Sequence, residues 1–206
     1  MLTVPEDLFI ARGYHRECYQ HPSNENLCVK VVVRGDTSET DREIRYYNVL
    51  KKRHIDWKML PRYHGWVNTN KGKAAVFDLI RDCDGKVSLA LNYYLENPEL
   101  TSQFRDQIGN ALVGLHDYLI SHRVVTMTLK PKNIVLSRID EEKSKLVIVD
   151  NIGNSDWVPL CNYVDFLALK KIRRKWQRFI ELLRNSYAYN DQLQALVTQL
   201  PNKVRY

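Results

Sequence analysis

The sequence predicts an α+β fold in two lobes, a small β-rich part holding one helix and then a mostly helical part with a β-hairpin inside it. Two observations carry this. Short apolar runs such as "LCVKVVV" (residues 27–33) and "AAVFDLI" (residues 74–80) are bounded by polar turns and crowd the first 80 residues. Beyond them, apolar residues recur every three or four positions, the spacing of helices that bury one face. The lobes are predicted over 1–80 and 81–206, as one structural unit with a cleft between them.

Taken in order, "LFIARGYHRECYQHP" reads as strand, turn, strand, and "HPSNEN" as a polar turn. "LCVKVVV" reads as a buried strand. In "RGDTSETDREIRYYNVLKKRHI", Thr37, Ser38 and Thr40 are N-cap candidates. Ile44, Tyr47 and Leu50 set a helical face that ends near Arg53. "LPRYHGWVNTNKGKAAVFDLI" predicts a hairpin turning at "NTNKGK", and "RDCDG" a further turn. "TSQFRDQIGNALVGLHDYLISHRV" predicts an amphipathic helix through Phe104, Ile108, Leu112, Leu115 and Leu119. "NIVLSRIDEEKSKLVIVD" predicts a strand, a polar tip and a strand. From Asp165 the chain reads as helical. Phe166, Leu169, Ile172, Trp176, Phe179, Ile180 and Leu183 are expected on its apolar face. Lys170, Lys171, Arg173, Arg174, Lys175 and Arg178 are expected on its basic face, a candidate anion-binding surface.

Composition excludes several classes. With 206 residues, 44% hydrophobic and 27% charged, and only 8 Gly and 7 Pro, the chain is ordinary globular material. No window reaches the roughly 20 apolar residues needed to span a membrane. The start, "MLTVPEDLFIARGYHRE", lacks the apolar core of a signal peptide, so a cytoplasmic protein is expected. Cys18, Cys28, Cys83 and Cys161 form no CxxC pair, and the histidines have no metal-ligand spacing. A net charge of +7 suits an anionic partner.

Four pieces carry chemistry. Lys30 lies inside an apolar strand, where a lysine is costly unless it is paired or serves a ligand. Glu43 lies on the next helix, in "DREIRYY". Lys130 and Asn133 lie in "LKPKNIVL", and Asp150 ends the apolar run of "LVIVDNIG". This order resembles the protein-kinase-like superfamily. "LHDYLISHRVVTMTLKPKNIVL" looks like the catalytic-loop stretch of a kinase, "IVDNIG" stands where a kinase reads DFG, and "ARGYHRECYQHP" looks like a Gly-rich loop reduced to Gly13. More narrowly, "RECYQHP", "CVKVV", "REIRYYNVL" and "TMTLKPKNIVL" resemble the bacterial YrbL family of PhoP regulatory network proteins, over nearly the full length.

The resemblance implies a reduced kinase-like fold in the cytoplasm of a Gram-negative bacterium, a link to the PhoP response, and ATP with Mg²⁺ in the interlobe cleft. Lys30 is expected to hold phosphates and Glu43 to orient Lys30. Asn133 and Asp150 are expected to bind the metal, and Gly13 to cover the phosphates. Residues 77–80, including Asp78 and Ile80, are expected to line the adenine edge. Asp165 and His116 are expected to brace the catalytic loop. Where a kinase loop carries His, Arg and the catalytic Asp, this chain has Thr126, Met127 and Thr128. A threonine hydroxyl cannot accept a proton near pH 7 as a carboxylate does, and such general-base help is worth about 10² to 10⁴ in rate.

That leaves Lys130 and Thr128 as the catalytic-loop residues of a pseudokinase or a weak phosphotransferase. The alternatives are an active kinase for a small molecule, a sugar or a protein, transfer of the nucleotide itself, and a scaffold that binds no nucleotide and uses its basic surface. No "APE" segment follows Asp150, so the usual platform for a protein substrate is expected to be short or missing.

Overall fold

The computed structural model describes residues 1–154 and 160–200. Five antiparallel strands form the first lobe: β1 (Phe9–Arg12), β2 (Arg16–His21), β3 (Asn24–Val32), β4 (Tyr63–Thr69) and β5 (Gly72–Asp78), in the order β1-β2-β3-β5-β4. Alternation along β3 explains why this lobe forms. Val29 and Val31 are fully buried on one face, where they pack with Val4, Tyr19 and Ala74 in a small core of their own. Cys28 and Lys30 lie on the other face, toward α1 (Ser38–Lys52) and the second lobe.

Helix α1 buries Glu43, Tyr46, Tyr47 and Leu50, a stripe at i, i+3, i+4 and i+7. Tyr47 stacks on Trp57 with ring centres 5.8 Å apart and meets Phe77 edge-on at 5.5 Å. Thr37 is the N-cap residue, but its hydroxyl bonds the Asp41 carboxylate rather than a backbone amide.

The chain enters the second lobe through residues 79–90, pinned by Arg138, whose Nε donates to Asp82 at 2.7 Å. This lobe holds α2 (Leu91–Leu95), α3 (Pro98–Gln103), α4 (Arg105–Ser121), the hairpin β6 (Ile134–Arg138) with β7 (Ser144–Ile148), α5 (Asp165–Ser186) and α6 (Asp191–Gln199). The single helix expected around Phe104 is two. Asn97 caps α3 by accepting from the amides of Glu99 and Leu100, Pro98 opens it, and the chain breaks at Phe104 before α4 begins. The helical tail is likewise two pieces, broken before Asn190, whose side chain caps α6.

One continuous core runs from Cys28 and Phe77 in the first lobe, through Tyr46, Tyr47 and Leu50 of α1, to Leu112, Leu115, Ile172 and Phe179 in the second. Helix α5 departs from expectation at three places. Phe166 is 70% exposed rather than on the buried face, while Lys171 is buried. Lys175 turns inward to donate to Met127 O. The exposed charges of the expected basic face are thus Lys170, Arg174 and Arg178.

Candidate nucleotide site between the lobes

The hairpin β6–β7 positions the expected metal ligands. Asn133 precedes β6 and Asp150 follows β7, and the Val149 amide donates to Asn133 O at 2.9 Å. The two residues therefore leave the hairpin side by side. Asn133 is buried, while Asp150 keeps 37% of its side chain exposed. Asn151 takes a positive φ of 62°, and its amide donates to Asp150 Oδ1 at 2.8 Å. Gly153 follows at φ 127°, and its amide donates to Val125 O at 3.0 Å. That bond, with Met127 N to Asn151 O at 2.8 Å, lays the "TMT" loop against the "DNIG" segment.

From the other side, the first lobe brings Lys30, Glu43 and Arg16 toward Asp150. The expected Lys30–Glu43 pair is not the one formed. Glu43, 2% exposed, takes a hydrogen bond from Arg16 at 2.6 Å, and the other arm of the same guanidinium donates to Asp150 Oδ1. Lys30 donates to Val149 O and lies 4.5 Å over the Phe77 ring. Glu43 Oε1 is buried without a hydrogen-bond partner. The physical reason is register. Arg16 faces Val32, one alternate step along β3 from Lys30, so both cations share a face of the sheet. The guanidinium offers a planar fork that reaches two carboxylates at once, which an ammonium cannot match.

Electrostatics follow from this crossing. Burial works against the charge on Arg16, but Glu43 and Asp150 outweigh it and hold its pKa above the ordinary value. Burial also pushes Asp150 upward, yet the charges of Arg16 and Lys30 and the Asn151 amide hold its carboxyl below the usual range. Cys18 sits opposite Lys30 and beside Cys28. The neighbouring Cys28 side chain lowers the pKa of Cys18, with burial opposing and Lys30 and Arg16 assisting.

The remaining expected residues are placed as follows. Gly13 closes the β1–β2 hairpin, its amide donating to Arg16 O at 2.8 Å. A Cβ there would meet only that oxygen, at 3.4 Å, so the turn itself does not demand glycine. The Asp78 carboxylate accepts from the Arg62 amide at 2.8 Å and meets His64 at 2.6 Å, and its own amide donates to Arg62 O at 3.0 Å. The Leu79 amide is bonded to Asn26 O and Ile80 O accepts from the Ser88 amide. Lys130 is exposed and Thr128 half-buried.

One bracing role moves. Asp165 is not a buried brace. Its side chain is 59% exposed and pairs with Arg123 at 2.7 Å. Lys175 reaches the loop instead, by donating to Met127 O, and Lys171 donates to Asn154 Oδ1 behind "DNIG". The loop is thus held by donors from α5 acting on acceptors. His116 is buried and packs on the Trp176 ring at 4.9 Å. On α1, Tyr46 ties the helix to the loop. Its hydroxyl accepts from the Val125 amide at 2.7 Å and donates to Arg123 O at 3.3 Å. A separate cavity lined by Arg53, Ile55, Ser121, His122, Arg123 and Asp165 lies at the far end of α1, about 15 Å along the helix from Glu43. Residues 155–159, in the stretch where an activation segment was expected to be short, lie outside the described residues.

Among the described residues, no helix is long and apolar enough to cross a membrane, and no group of three or more His, Cys, Asp or Glu could hold a metal ion. A cation here would thus depend on Asp150, Asn133 and oxygens supplied by a ligand.

Comparison with known proteins bears on the fold and the family. A solved kinase domain superposes with a TM-score of 0.51 at 16% identity, over 86% of this chain. This chain spans 64% of that domain's length. The likeness establishes a kinase-like fold, reduced in size. The protein YrbL of Escherichia coli (strain K12) is 40% identical over 183 residues, 87% of each chain, and YrbL of Shigella flexneri matches equally. The family model described as "PhoP regulatory network protein YrbL" matches residues 2–184. On these grounds the chain is a member of the YrbL family of PhoP regulatory network proteins, built on a protein-kinase-like fold.

Proposed function

We propose that this protein binds ATP with Mg²⁺ between its lobes and acts as a pseudokinase, or a weak phosphotransferase, in a PhoP-linked response of the bacterial cytoplasm. The observation that carries the reading is the convergence of Arg16, Lys30, Glu43, Asn133 and Asp150 at one interlobe position, from segments up to 134 residues apart. A buried pair of cations beside two carboxylates is costly to assemble for structure alone. It suits the phosphates of a nucleotide, whose transfer depends mainly on positioning and charge stabilisation.

Asp150 and Asn133 fit Mg²⁺ in kind. Both offer oxygen ligands, and their small number suits an ion that keeps waters and takes further oxygens from phosphates. When bound, Mg²⁺ supplies charge neutralisation along the phosphates. The chain's own residues do the rest. Lys30 and Arg16 present positive charge to the cleft, Glu43 fixes Arg16, and Lys130 is exposed beside the loop. Thr128 stands where a base is needed and cannot serve as one, which favours sensing or scaffolding over fast transfer.

Thermal unfolding with and without ATP and Mg²⁺, on wild type and Asp150→Ala, tests this. A ligand at about 100 times its Kd adds roughly 2.7 kcal/mol. A metal-dependent upward shift that Asp150→Ala loses supports the reading. Label passing from the γ-phosphate to an acceptor then marks a phosphotransferase, label from the α-phosphate marks nucleotidyl transfer, and neither marks a pseudokinase. No shift at millimolar ATP overturns the nucleotide reading in favour of a scaffold. A specific observation would then direct attention to α5, where Lys170, Arg174 and Arg178 are exposed, as are Phe166 in its first turn and Tyr163 just before it, at 70% and 73%.

A further inference from the structure

We propose that Arg16, held in place by Glu43, is the residue that anchors the nucleotide phosphates in this cleft, a role that the kinase resemblance assigns to Lys30. The proposal rests on the nucleotide reading above and names the phosphate-binding group within it.

Three observations carry it. First, a carboxylate as buried as Glu43 requires a cation, and the one in contact with it is Arg16, at 2.6 Å. Lys30 does not serve it, for Glu43 Oε1 is buried with no partner. Second, the Lys30 ammonium is already engaged, and the residue is only 8% exposed. Its Nζ donates to Val149 O and lies over the Phe77 ring. Third, the second arm of Arg16 already grips an anionic oxygen from the opposite lobe, Oδ1 of Asp150. A guanidinium fork treats a carboxylate and a phosphate alike.

Asp150 has 37% of its side chain open to the cleft, so it can turn to a cation, whereas Glu43 is enclosed and cannot leave. When Asp150 turns, the Arg16 arm it releases faces the cleft while the other arm stays on Glu43. Asp150 Oδ1 thus holds the place on Arg16 that a phosphate oxygen is to take. Arg16 opens β2 directly after the hairpin loop that Gly13 closes, the segment expected to cover the phosphates.

The test compares ATP with adenosine, because adenosine shares every contact except those to the phosphates. Titration calorimetry in Mg²⁺ buffer is run on wild type, on Arg16→Met/Glu43→Gln, on Arg16→Lys and on Lys30→Met. The double variant removes both buried charges together, which avoids stranding Glu43. It is expected to lose about tenfold or more of the ATP-over-adenosine preference, the scale of a lost charge-assisted contact, with adenosine affinity unchanged. Retained adenosine affinity also certifies that the variant is folded. Arg16→Lys, which keeps the charge without the fork, is expected to lose less, and Lys30→Met least.

An unchanged or increased ATP preference in the double variant overturns the proposal and makes Arg16 a plug over Asp150. Loss of the preference in Lys30→Met alone overturns it in favour of Lys30. Wild type that binds neither ligand overturns the nucleotide reading itself, and this inference with it.

Discussion

Replacing Tyr46 by phenylalanine removes one oxygen from the joint between α1 and the "TMT" loop. That hydroxyl takes the Val125 amide at 2.7 Å in a residue 2% exposed, next to a Val125 that is fully buried. Phenylalanine keeps the ring packing and strands the amide. An unpaired buried donor costs roughly 1–3 kcal/mol. In a chain of this length each kcal/mol moves Tm by about 2–4 °C, so the melt should fall by about 2–12 °C. Urea unfolding should show a lower midpoint at unchanged slope.

Alkaline pH gives a second reading of the same bond. Burial pushes the Tyr46 phenol up to about 12 in the folded protein, with the Val125 amide and Arg53 opposing. An unfolded tyrosine titrates near 10. Its raised pKa means the folded state holds the proton longer. The stabilisation is therefore complete below about pH 10 and drains away as pH rises toward 12. One unit above the unfolded value the loss is about 1.4 kcal/mol, so the stability gap between wild type and Tyr46→Phe should narrow by about that much at pH 11. A variant within 0.5 kcal/mol of wild type at neutral pH, or a gap that ignores pH up to 11, would refute the reasoning, with the 0.5 being roughly the scatter of inert surface changes.

Three further outcomes follow from the site. Gly13→Ala should leave urea stability within about 0.5 kcal/mol, because the new Cβ meets nothing closer than 3.4 Å, so a fall in ATP affinity in that variant would report phosphate contact directly. Gly153→Ala should cost about 1–3 kcal/mol in the same assay, since φ 127° is strained for any side chain. For Asp150→Asn, the difference from wild type should be level from pH 7 to 5 and shrink as pH falls below about 4, because a depressed carboxylate contributes above its unfolded pKa and loses that contribution in acid; a difference that grows in acid would reverse the assigned sign.

Much of the candidate site was legible because local pattern marks its residues. Lys30 breaks a run of valines, and Asn133 and Asp150 flank the two strands of one hairpin, so short-range rules place them. Arg16 escaped because its partners lie 27 and 134 residues away, and an arginine at a strand end ordinarily reads as solvated. Alternation held the signal. Arg16 and Cys18 share a face, and Cys18 stands opposite Lys30. Lys171 and Lys175 were misread for a related reason. They flank the buried stripe of α5 at a spacing of four, and only the loop packed against that flank turns them inward. The start of α3 was readable, since Asn97-Pro98 is a capping pair, but the apolar period of α4 masked it.

The way α1 is fastened has a consequence for how the chain can be cut. Tyr46 and Arg53 bind carbonyls or amides at 123, 125 and 162, and Leu50 is fully buried in the core shared with α4 and α5. A chain divided after residue 80 leaves the first piece with a greasy helix flank and the second with an open trough. Neither fragment has a finished interior, so each alone should be soluble only poorly and unstructured. Mixed together they should dock and regain a cooperative melt, which makes the division a ready-made complementation pair rather than two expressible domains.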